Sequence, residues 1–338
     1  GLVPFAEMRV EGGGDTSKVP VRVGENLHIY TGAWLRAQCY STRARERVGA
    51  ERAQSRCLWD GAALAARAEE VVVAYDEFVS SRDGLVRGLG ALHRFGLLFV
   101  KGVPSNMAGT KALAGRIGKA RPTLYETWWD TAPNKEVIND TAYTKDALSC
   151  HVDGTYYHTP HGIQLFNCVA NELAGADDEK AGASLYMDGF RVMDHCRRHE
   201  PDTFAFFRDT PLRFRSLDPG AQICAHAPAF QVADDGELLG FRFNHYDLAP
   251  LNYLPADLVP DYYHHVAILT SLVSSRADFT YRRVLHQGTA VFVNNSRVMH
   301  GREAFQGHRN LLGCYMGRDE YESRLRMLGI GGPRPWLL

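Results

Sequence analysis

The sequence predicts a mainly β fold: a jelly-roll barrel with helices packed on one side. Three observations carry that expectation. Short apolar stretches recur at 97–100, 163–166, 184–187, 289–293 and 311–315. Several end at punctuating residues such as Gly102, Pro104, Asp188, Gly189 and Asn294. A few windows of helical spacing interleave with these short strands.

Taken in order, residues 1–72 differ from the rest. They hold Gly12, Gly13 and Gly14, then a basic, weakly apolar run over 43–56. We read 1–72 as a small N-terminal module ahead of a large domain over 73–338. Leu85, Leu89, Leu92 and Phe95 lie at helical spacing, with Ser81 placed to cap the helix. A buried strand follows at 97–100, then a helix over 106–116. Strands are expected at 163–169 and 184–187, and a helix over 191–207. Residues 241–243 alternate like a strand, and 258–273 read as an amphipathic helix. The strand at 289–293 leads through Asn294 and Asn295 to His300. The last, 311–315, leaves Arg309 on a strand or its edge. No internal repeat or low-complexity linker interrupts the pattern.

The chain has 338 residues, 45% of them hydrophobic, so a sizeable core is expected. Net charge is −1 and the basic residues form no long block, which argues against a nucleic-acid partner. No apolar run approaches a membrane span and no signal peptide is evident. Seven cysteines, an odd number with no C-x-x-C pair, point to reduced thiols in an intracellular protein.

The chemistry begins at His151-Val152-Asp153. Alternate residues of an extended strand share a face, so imidazole and carboxylate can reach one point. His300 would complete a facial triad of two histidines and one carboxylate, the donor set of non-haem Fe(II) oxygenases. Arg309 offers a planar fork suited to a carboxylate, as 2-oxoglutarate requires. With 14 histidines in the chain, a three-residue pattern also arises by chance. A second copy, His245-Tyr246-Asp247, lies upstream of His300, and spacing alone does not choose between them.

From about Asp76 to Gly329 the chain resembles the γ-butyrobetaine and trimethyllysine hydroxylase branch of the Fe(II)/2-oxoglutarate oxygenases. The likeness rests on the segments 139–145, 151–157, 162–166, 188–190, 295–302 and 309–315. Asp140 and the short gap from His300 to Arg309 bring it nearer to trimethyllysine hydroxylase. The resemblance implies a double-stranded β-helix core with iron held by His151, Asp153 and His300. It puts Arg309 on the distal carboxylate of 2-oxoglutarate, with Ser184 beside it. It implies that Tyr125, Trp129, Tyr143 and Tyr315 cage a quaternary ammonium. The physics agrees, because that group donates no N–H bond but is attracted to aromatic faces. Ordinary core packing is the competing reading for each ring, and Trp128 beside Trp129 shows the hazard. Asp140 and Asn244 match positions that hold the amino-acid end of a substrate. The implied cofactors are Fe(II), 2-oxoglutarate and O2, with ascorbate as an accompanying reductant. The implied assembly is a homodimer acting on a small molecule, cytoplasmic or mitochondrial.

Two departures stand out. Trp34-Leu35-Arg36 keeps the opening of the family's N-terminal zinc module, but only Cys39 lies nearby, so no structural zinc is expected. Asn294-Asn295-Ser296 stands where the family has Asp-Asn-Trp. Three functions therefore compete: trimethyllysine-type hydroxylation, the same iron chemistry on another amino acid or small amine (hydroxylation, cyclisation or desaturation), and a non-catalytic cation-binding module.

Overall fold

The computed structural model describes residues 18–331, apart from 24, 40, 132–144, 174–181 and 219. Contacts divide the chain into two compact units, Gly1–Ser55 with Gly331–Leu338, and Arg56–Ile330. In the first, strands Lys18–Val23 and Asn26–Thr31 form an antiparallel hairpin. Thr31 then caps helix Gly32–Ala37 by accepting from the Trp34 backbone N–H. The basic run forms helix Thr42–Gln54.

The second unit is built on two sheets. The larger orders its six strands Val72–Ala74, Leu97–Lys101, Thr289–Asn294, Ile163–Leu173, Gly307–Met316 and Trp129–Asp130. The smaller orders four: Thr280–Arg283, Ser184–Asp188, Val298–Arg302 and Leu148–His151. Every pairing in them is antiparallel except Val72–Ala74 with Leu97–Lys101. Their inner faces meet, as when Phe99 packs edge-on against Tyr186 with centroids 5.6 Å apart. This is the jelly-roll sandwich expected from the sequence. Trp59, Leu64 and Val71 belong to its buried core, so the unit starts at Arg56, ahead of the boundary expected at residue 73.

Local chemistry explains the element ends. Ser81 Oγ accepts from Gly84 N at 2.9 Å to start helix Arg82–Phe95, and Gly96, at φ 75°, stops it in the left-handed region. Asn106 caps Met107–Gly115 in the same way. The single helix expected over 191–207 is two, Gly189–His199 and Pro201–Asp209. Pro201 has no N–H to continue the first helix but suits the first turn of the second. The strand expected at 241–243 is Leu238–Phe241 and ends there. Arg242 turns its guanidinium onto the carbonyls of Thr155, Tyr157 and His158.

One ion pair sits wholly inside this unit. Arg297 meets Asp188 at 2.7 Å, with side chains 2% and 0% exposed. Arg297 also donates to the carbonyls of Arg94 and Cys57, and Asp188 accepts from the Trp59 and Phe190 N–H groups. Removing one partner would strand a buried charge, at about 3–5 kcal/mol. All seven cysteines are free, with Cys150, Cys168, Cys196 and Cys314 buried. No helix among the described residues is long and apolar enough to cross a membrane.

Candidate active site

The hydrogen-bond ladder brings the two histidines together. His300 on Val298–Arg302 is the direct cross-strand partner of His151 on Leu148–His151. Opposed residues of an antiparallel pair share a face, and these rings lie 4.7 Å apart. The strand ends at His151, so the alternation expected to carry Asp153 is replaced by an extended bend. Val152 is buried on the opposite side, while Asp153 returns to the histidines. Asn295 fixes the bend, accepting from Asp153 N at 2.8 Å and donating to its carbonyl at 2.9 Å. Gly154 follows at φ 67°, where a Cβ would lie 2.7 Å from the His161 ring.

Three ligand atoms result, all within 4.8 Å of one another. His151 Nε2 lies 3.2 Å from Asp153 Oδ1, and His300 Nε2 lies 3.6 Å from Asp153 Oδ2. His151 Nδ1 must donate to the Ser149 carbonyl at 2.7 Å, which leaves Nε2 for a metal. Burial disfavours charge on all three side chains. The two imidazoles nonetheless hold the Asp153 carboxyl well below its usual range, and Asp153 in turn raises His151. For His300, burial and the charge of His151 win, and its pKa falls. Two imidazole nitrogens with one carboxylate, all within 4.8 Å, fit a divalent transition metal. Among the described residues this is the one such cluster. The rival motif is not part of it: His245–Asp247 is a 3₁₀ turn with His245 exposed.

Arg309 and Ser184 come from the two sheets and meet across the sandwich. Arg309 Nη2 donates to Ser184 Oγ at 3.2 Å, while its Nε is buried without a partner. No carboxylate of the described residues pairs with Arg309. A part-buried guanidinium with no carboxylate partner among the described residues is suited to an anionic ligand.

Triad and guanidinium open into one cavity of about 620 Å³. Tyr125, Trp129, Tyr315 and Asn244 line it as well. Trp129 pairs with Gly313 across the sheet edge, where any Cβ would fall 2.2 Å from the indole. Glycine there makes room for the ring. Trp128 instead packs on the core under the Lys111 ammonium, 5.5 Å away. Asn244 Oδ1 caps the 3₁₀ turn. Asp140 and Tyr143 lie outside the described residues.

Several lining residues were not anticipated, among them Gln164, Tyr156 and Arg302. Gln164 had a signal: it is the polar member of the apolar run 163–166 and is 1% exposed. Its amide donates to Asp153 Oδ2 at 2.6 Å. Tyr156 meets the Tyr125 hydroxyl at 3.2 Å, and Asp247 accepts from Thr155 Oγ1 at 2.5 Å. These pairings join segments remote in sequence.

Comparison with known proteins fixes the family. Residues 61–315 match the model of the taurine catabolism dioxygenase TauD, TfdA family. The chain belongs to the TauD/TfdA dioxygenase family. Trimethyllysine dioxygenase of Bos taurus is 32% identical over 304 residues, covering 88% of this chain and 68% of that protein. The Rattus norvegicus protein of the same name is 33% identical over 304 residues, with the same coverage. Gamma-butyrobetaine dioxygenase of Pseudomonas sp. (strain AK-1) is 28% identical over 320 residues, 93% of this chain and 79% of that one. The crystal structure of a taurine dioxygenase from Burkholderia xenovorans shares the fold, with a TM-score of 0.52 at 12% identity, over 70% of this chain and 82% of that chain. This TauD/TfdA member is a 2-oxoglutarate-dependent dioxygenase, and His151, Asp153 and His300 could form its iron site.

Proposed function

We propose that this dioxygenase hydroxylates a C–H bond of a small cationic amino acid of the trimethyllysine type. One observation carries the reading. The triad, the Arg309–Ser184 pair and three aromatic rings face a single cavity. The names of the Bos taurus and Rattus norvegicus relatives support the substrate.

In this reading His151, Asp153 and His300 would hold Fe(II) and leave its other positions open. Bound there with 2-oxoglutarate and O2, the iron supplies C–H oxidation coupled to release of succinate and CO2. Arg309 and Ser184 receive the distal carboxylate of the 2-oxo acid. Tyr125, Trp129 and Tyr315, joined by Tyr143, hold the quaternary ammonium, at roughly 0.5–2 kcal/mol per ring. Asn244 and Asp140 take the amino-acid end. Anchoring both ends fixes which carbon meets the metal. The partner is a small molecule, and we take the active form as a homodimer, cytoplasmic or mitochondrial.

Succinate release measured with Fe(II), 2-oxoglutarate and ascorbate against trimethyllysine, γ-butyrobetaine and unmethylated lysine tests the proposal. Trimethyllysine should be turned over fastest. A preference for unmethylated lysine would overturn the substrate reading, and absence of succinate with every compound would overturn the reaction.

A further inference from the structure

We propose that Tyr315 is a positioning residue that couples occupancy of the aromatic cage to the carboxylate of Asp153. The inference rests on the iron-centre reading above and assigns Tyr315 a second task beyond lining the cage. Its hydroxyl donates to Asp153 Oδ2 at 2.8 Å. Gln164 Nε2 donates to the same oxygen at 2.6 Å. The two donors arrive together because Gln164 and Tyr315 are cross-strand partners in the larger sheet. Oδ2 is thus held by two donors while His300 Nε2 lies 3.6 Å from it, and Oδ1 faces His151 Nε2 at 3.2 Å.

The other end of Tyr315 belongs to the cavity. His161 covers one face of its ring, at 3.9 Å and 22° from parallel. Trp129 stands 6.1 Å away on the cavity wall. A cation bound against the phenol ring draws electron density from it and makes the hydroxyl a stronger donor. The bond orients the carboxylate toward a metal, and losing it costs that orientation. Strengthening a bond already formed adds no orientation and only takes charge from the carboxylate, which loosens its hold on a metal. Linkage makes the effect reciprocal: the metal alters the affinity for the cation by the same factor. Direct repulsion between cation and metal would persist without the hydroxyl, so Tyr315→Phe isolates the coupling.

The test uses the full chain titrated with Co(II) against a competing chelator, with and without saturating trimethyllysine. In the wild type, trimethyllysine should weaken Co(II) binding. Tyr315→Phe keeps the ring, so its trimethyllysine Kd should stay within about 3-fold, while Co(II) binding weakens by about 10–100-fold. The dependence of Co(II) binding on trimethyllysine should shrink in this variant. Gln164→Met should weaken Co(II) but keep that dependence, which preserves the test if Tyr315→Phe does not fold. Wild-type Co(II) affinity in Tyr315→Phe, or undiminished dependence on trimethyllysine, would overturn the inference and leave the metal centre standing. A wild-type protein that binds no Co(II) would instead overturn the centre itself.

Discussion

The floor and the mouth of the cavity are built in different ways. At the floor, His151 and His300 sit opposite each other in a ladder, and Asp153 is clamped at backbone and side chain. At the mouth, Asn244 caps a 3₁₀ turn that ends at Asp247, and Leu217 lies on the hairpin of Leu212–Asp218 and Ala221–Ala227. Leu217 and Tyr246 there are 61% and 64% exposed. The floor has its geometry set by strand register, whereas the mouth has turns that can vary without disturbing the sheets. Reaction type then resides in the former, while the proposed substrate contacts span both, with Trp129 and Tyr315 on sheet strands and Asn244 at the mouth.

The largest break in this contrast should come from the floor. Alanine at His151 or His300 removes a ligand and should abolish Fe(II)-dependent succinate release, a loss of at least ~100-fold. Arg309→Met should raise the KM for 2-oxoglutarate by at least ~30-fold, from roughly 2–5 kcal/mol of lost binding. Steady-state kinetics at varied 2-oxoglutarate reads both effects. Beneath the floor, burial lowers His161 from 6.5 to about 4. The unfolded chain takes up that proton near pH 6.5 and the folded one only near 4. His161 should therefore lower stability by about 3 kcal/mol as pH drops through this window, beside a parallel fall from His300, and His161→Leu should make the slope seen in urea melts shallower.

Gly313→Ala probes the boundary between the two regions. The new methyl would lie 2.2 Å from both the Leu165 backbone carbonyl and the Trp129 indole, so the strand must shift as well as the ring. Unfolding free energy should drop by at least about 3 kcal/mol and the substrate KM should rise. The smallest effects belong to the mouth. Leu217→Ala and Tyr246→Ala should leave stability within ~0.5 kcal/mol and shift only the KM for substrate. A large kcat loss in either would show that the mouth also positions the reacting carbon.

The same contrast decides what could be read from the sequence. The floor was legible, because its strands are apolar, its histidines recur in motif form, and Ser81, Asn106 and Gly96 punctuate the helices as their chemistry dictates. The Glu200-Pro201 break was legible in principle but masked by apolar spacing on both sides. The contacts of Tyr315 and Gln164 with Asp153 were not, since register between remote strands is a tertiary property that no local pattern encodes. Spacing left His245-Tyr246-Asp247 open as a rival motif for a comparable reason: nothing in three residues distinguishes a strand from a 3₁₀ turn.

The buried Arg297–Asp188 pair has a kinetic consequence. It joins residues 109 apart in sequence, and Arg297 also reaches a carbonyl 240 residues away. Asp188 ends the strand that bears Ser184, and Arg297 precedes the strand that bears His300. Loops of that span must close before their contacts return any free energy, which slows refolding relative to a topology of local contacts. A nascent chain cannot bring the three side chains together until His300 has been synthesised.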